Sequence, residues 1–139
     1  MSRHDALALL MRGVGQDLRD YRRLKAMLEE QFMAALRHQT ALLKELAERV
    51  TTTVEVLELR RRERVALVGH LVGAGAPMSA AFALLSGSER SAVESGWKML
   101  DALVNECKQL NARNGRLIMD QHGIMQRVLH GEEQIYAPA

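Results

Sequence analysis

Apolar residues return at every third or fourth position over most of this chain, and that spacing restricts what it can fold into. The first run reads Leu7, Met11, Val14, Leu18, Tyr21, Leu24, Leu28, Phe32, Ala35, Gln39, Leu42, Leu46 and Val50, and it resumes at Val54, Leu57, Arg61, Arg64, Val68 and Leu71. A heptad-like stripe of this length, with small slips, suits a long helix that supercoils against partner helices. Only two prolines occur, Pro77 and Pro138, and aromatics make up 4% of the 139 residues. Strand positions favour aromatic and β-branched side chains, so this mixture favours helix. Since neither Gly nor Pro marks an ending near Thr51–Thr53, the stripe predicts one helix over about 4–71, approaching 100 Å at about 1.5 Å per residue. Its weakest point is Thr51-Thr52-Thr53, where three threonines lose side-chain freedom and could instead cap a helix.

The "VGAGAP" stretch from Val72 to Pro77 combines two glycines with a proline and marks a loop over 72–77. A short helix is expected over about 79–86. A C-terminal helix follows over about 88–130, signalled by Ser86 with Glu89 or by Ser88 as its cap, and the tail 131–139 is expected to fray. The "LNARNGRLI" stretch, Leu110 to Ile118, poses the sharpest local question, because Asn-Gly between apolar residues is a hairpin signal. The flanking segments do not alternate as strands would. The helical stripe Val93, Trp97, Leu100, Val104, Cys107, Leu110, Asn114, Leu117, Gln121, Ile124, Val128 passes through the dipeptide in phase, so helix is expected there. A single Gly costs a helix only about 1 kcal/mol relative to Ala. The expected architecture is all-α, with coiled-coil character: an elongated antiparallel hairpin or three-helix bundle forming a single domain, 1–139.

The residues offer little catalytic chemistry. Five histidines, His4, His38, His70, His122 and His130, are scattered without an HxxxH or HExxH pair, so neither a metal site nor an enzyme is expected. Cys107 lies on the apolar stripe and reads as a packed thiol; as the sole cysteine it excludes an internal disulfide and fits a reducing, cytoplasmic setting. "GAGAP" lacks the Gly-Lys-Ser/Thr of a phosphate loop, and no cofactor is expected. The N-terminus holds an apolar run too short for a bilayer span and reads as neither signal peptide nor membrane anchor. Up to Val72 there are 13 Lys and Arg against 10 Asp and Glu, and after it 6 against 7. That balance does not describe a nucleic-acid surface. The one basic cluster, Arg60, Arg61, Arg62 and Arg64, is interleaved with Glu55, Glu58 and Glu63 and reads as a solvated face with intrahelical ion pairs.

Two features admit both a structural and a binding role. Met27, Met33, Met78, Met99, Met119 and Met125 either widen the core face or form a second face left open for a partner helix. Asn111 and Asn114 either fix the register of a helical seam or, with the bare backbone of Gly115, hydrogen-bond a bound peptide.

The stretch "LVNECKQLNARNGRLIMDQHGIMQRVLHG", followed by Tyr136, resembles the C-terminal helix of the FlgN-type flagellar export chaperones. Trp97, Asn111, Asn114, Gly115, Leu117, Ile118 and Tyr136 stand at matching places, and the first helix is similar in length and order. The resemblance implies a cytoplasmic, non-enzymatic chaperone of the flagellar type III export system. Such a chaperone would hold hook–filament junction proteins of the FlgK and FlgL type by their C-terminal helical segment, then deliver them to the export gate component FlhA. The expected binding face comprises Asn111, Asn114, Gly115, Leu117, Ile118, Met125 and Leu129, with Tyr136 docking at the gate. Rival readings are a self-associating coiled-coil adaptor and a helical nucleic-acid-binding protein using the Arg60–Arg64 cluster.

Overall fold

A computed structural model describes residues 1–136, with side chains described through Gly131. Four helices follow one another: α1 (Arg3–Leu36), α2 (Thr40–Val72), α3 (Met78–Phe82) and α4 (Gly87–Tyr136), with no strand among the described residues. The fold is all-α and elongated, since the 50 residues of α4 span about 75 Å. Ser2 opens α1 with a capping box: its hydroxyl accepts from the Asp5 amide while the Asp5 carboxylate accepts from the Ser2 amide.

The uninterrupted helix expected over 4–71 is in fact two helices of similar length, folded against each other at Arg37-His38-Gln39. The Gln39 amide donates to the Ala34 carbonyl at 2.9 Å and the His38 amide to the Ala35 carbonyl at 3.2 Å. This paired closure is a Schellman motif, in which the residue after the cap takes a left-handed conformation. Here that residue is His38, with φ of 54°. Glycine normally fills the position, so the turn carries no glycine for the sequence to announce. The threonine run, in contrast, stays helical. The hydroxyls of Thr51, Thr52 and Thr53 donate back to the carbonyls of Ala47, Glu48 and Arg49 at 2.9–3.0 Å, so they bond within the helix rather than cap a new one.

α2 runs antiparallel to α1, which sets Asp17 opposite Arg60 and Arg64 and Leu10 beside Val68. Gly73 and Gly75, at φ of 109° and 78°, then reverse the chain into α3. That return lets α4 run parallel to α1, so α1 is the element both partners share. Leu24, Met27, Leu28, Leu57 and Cys107 form the middle of the core, joined by Tyr21, Val50 and Leu110. At the α3 end, Phe82 meets Trp97 edge-on with ring centroids 6.0 Å apart, packed with Val14 and Val93.

One polar cluster ties all three long helices. Asp17 on α1 is almost fully buried and accepts from Arg60 at 2.5 Å and from Arg64 at 2.6 Å. Arg60 also reaches Asp20 at 2.9 Å, and the Arg64 guanidinium lies 5.2 Å from the Trp97 ring centroid on α4. Two cations facing one buried carboxylate make a pairing whose value depends on all partners being present.

Candidate helix-docking site

Three side chains one heptad apart on α4 bond to three α1 carbonyls one heptad apart. The Cys107 thiol points to the Tyr21 carbonyl at 3.6 Å, the Asn114 amide donates to Leu28 at 2.7 Å, and the Gln121 amide donates to Ala35 at 2.8 Å. In each pair the α4 residue follows its α1 partner by 86 positions. Parallel helices allow this because side chains lean toward their own N-terminus, while helical carbonyls point toward the C-terminus. Burial pushes the Cys107 thiol above its ordinary pKa, with Glu106 adding to the effect, which leaves an unreactive packing group.

Asn114 is the most committed of the three. It is 1% exposed; its amide nitrogen also donates to Gln31 at 2.9 Å. Its oxygen accepts from Arg113 at 3.2 Å, and the Arg113 guanidinium stacks 3.7 Å from the centre of the Phe32 ring. Every bonding position of the Asn114 amide near α1 is thus used within the chain. The Asn114-Gly115 dipeptide lies inside an unbroken helix, and a Cβ placed on Gly115 would meet nothing within 4 Å.

The seam then runs out. α1 ends at Leu36, one residue past the last bonded carbonyl, whereas α4 continues to Tyr136. The stripe that α1 covers as far as Gln121 goes on in phase at Ile124 and Val128, with Met125 and Leu129 beside it, and these four are 51–56% exposed. Met119, 74% exposed, stands beside them. The seven residues expected to form a binding face therefore separate. Ile118, Met125 and Leu129 are exposed, Asn111 and Gly115 are exposed, Leu117 is half-buried, and Asn114 is turned into the α1 seam. Tyr136 ends α4, and its side chain lies outside the described residues. Ile124 and Val128 belong to this surface too, although the sequence reading placed them on a covered stripe, because it assigned the first helix no end before Leu71. The methionines divide as well: Met27 is buried, while Met33, Met99, Met119 and Met125 are exposed.

The arginine cluster is taken up within the chain. Arg60 and Arg64 turn inward to Asp17, and Arg61 and Arg62 pair with Glu58 one turn away at 2.8 and 3.2 Å. The hydrogen bond from Arg61, helped by Arg62, holds the Glu58 carboxyl down at about 2. Among the described residues, no group of three His, Cys, Asp or Glu is placed to hold a metal, and no helix is long and apolar enough to cross a membrane.

Long helices packed on α1, one of whose seams continues as exposed apolar surface, place the chain among all-α helical bundles. The comparison with protein families is consistent with that class. Residues 7–131 match the family model described as FlgN protein, and the chain belongs to the FlgN family of flagellar export chaperones. Neither the curated proteins nor the solved structures contain a match to it.

Proposed function

We propose that this chaperone receives the C-terminal amphipathic segment of a hook–filament junction protein, of the FlgK or FlgL type, on the bare part of α4. The chaperone holds it unassembled in the cytoplasm and hands it to FlhA at the type III export gate. The observation that carries this reading is the phase continuity of the stripe: Ile124 and Val128 extend the surface α1 occupies, Met125 and Leu129 lie beside them, and all four are about half exposed. Ile118 borders the site, Leu117 forms its margin, and Asn111 and Gly115 lie open beside it, while Asn114 serves it by fixing α4 to α1. Tyr136 is the residue we assign to gate docking, on family resemblance alone.

The magnitudes suit a complex that must let go. Covering four half-exposed aliphatic or Met side chains is worth about 4–6 kcal/mol. Ordering a disordered segment costs about 2–5 kcal/mol. The surplus is small and leaves a reversible complex.

The test is a double substitution, Met125→Asp with Leu129→Asp, assayed by titration with a C-terminal junction-protein fragment. Both side chains are exposed, so the helical circular dichroism should persist while capture falls by at least about 100-fold, the equivalent of about 3 kcal/mol. Capture at unchanged affinity would show that the fragment binds elsewhere.

A further inference from the structure

Resting on that reading, we infer where the bound helix lies and what charge it carries: it takes the lane of α1, end-on to Leu36–Gln39, and bears carboxylates on the turns nearest that end. Two lanes compete. One is the continuation of α1 along Ile124, Met125, Val128 and Leu129. The other is the groove lined by Tyr21, Leu24, Val54, Leu57, Glu58 and Arg61. In the second lane Val54 is the exposed large apolar group, and Glu58 and Arg61 at its edge are already bonded to each other. The first lane continues an interface the fold has already built, in the register that carries Gln121 onto Ala35. It offers two exposed apolar side chains in phase, Ile124 and Val128, with Met125 and Leu129 beside them, and about 22 Å of helix beyond Gln121.

The charge follows from the residues around the start of that lane. Arg37 caps α1, and Arg127 lies along the bare part of α4, against one carboxylate, Asp120, on the turn before it. The sequence turns acidic only further on, at Glu132 and Glu133. A helix with acidic flanks at its α1-abutting end complements this field, and a basic one is repelled by it. The same arginines disfavour a second copy of this chain as occupant. Two bare α4 segments paired antiparallel about the middle of the stripe would bring Arg127 close to its own symmetry mate, and like charges so placed oppose association.

Two synthetic peptides test this against the full-length protein. Both carry one heptad apolar stripe; one has Glu and the other Lys at the flanking positions of one end, and that end also bears a Gly-Gly-Cys tag. Binding is followed by fluorescence anisotropy, and disulfide capture is scored with Gln39→Cys and with Val54→Cys proteins, Cys107 being buried and left in place. The Glu peptide should bind about ten-fold tighter at low salt, with the gap closing at high salt, and should couple to Gln39→Cys in clear excess over Val54→Cys. Equal affinities, coupling to Val54→Cys, or disulfide-linked protein dimers in place of the peptide adduct would each overturn the inference. A junction-protein fragment that binds while both peptides fail overturns the inference alone. Failure of that fragment to bind removes the proposed function with it.

Discussion

His38 sits at the one point where the first sixty-odd residues reverse direction, with φ of 54°. A left-handed conformation costs a side-chain-bearing residue roughly 1–2 kcal/mol relative to glycine, partly offset by the greater freedom glycine loses on folding. His38→Gly should therefore raise unfolding stability by about 0.5–1 kcal/mol, read as a higher urea midpoint at unchanged slope; a fall would show that the imidazole contributes more than the turn costs it. The strain also explains what the sequence could not announce, because a Schellman turn without glycine differs from helix only in backbone angles. Asn114 was more legible. A polar residue on an apolar stripe already suggests a register-fixing role, and the structure supplies its partners, Leu28 and Gln31 on α1. Asn114→Ala removes those bonds, strips Arg113 of its acceptor and leaves a void, so a loss of about 2–3 kcal/mol is expected in chemical unfolding. Sequence spacing put Asn111 and Asn114 together as candidates; helical rotation parts them, one to the seam and one to solvent.

At the scale of helices, the seams are of different kinds. The α1–α4 seam is apolar with a ladder of side-chain donors, and the α1–α2 seam is clasped by Asp17 with Arg60 and Arg64. The arginine run was legible as a set of ion pairs, but not which arginines turn inward. Arg61 and Arg64 were placed on the stripe, whereas Arg60 and Arg64 make the contact with α1, because the packing angle of α2 follows from a hairpin the sequence did not reveal. Removing the shared acceptor leaves the partly buried Arg64 without its carboxylate and Arg60 with Asp20 alone. Asp17→Ala should thus cost about 3–5 kcal/mol, while Arg61→Ala, which breaks an exposed pair within one helix, should cost less than about 0.5 kcal/mol. Thermal unfolding of the two variants side by side checks this. Similar losses would mean that the buried cluster is no more than another surface pair.

For the molecule as a whole, the proposed function rests on a mismatch in length. α1 and α4 share a parallel seam in fixed register, yet α1 has 34 residues and α4 has 50. Beyond Gln121 α4 therefore projects past α1, with Ile124, Met125, Val128 and Leu129 about half exposed. This part of the site was not legible locally: Ile124 and Val128 have the same spacing as covered residues such as Leu110, and only the position of the distant turn at His38 tells them apart. Folding and binding should accordingly be separable along the chain. The three core clusters all lie before Gln121, so a chain ending at residue 121 should unfold within about 0.5 kcal/mol of the full-length protein and yet retain no measurable capture of a junction-protein fragment. Calorimetry and a binding titration on the same preparation decide it. A truncated chain that has lost several kcal/mol would show that the distal part of α4 folds back on the bundle. One that still captures the fragment would move the site to the groove beside Val54.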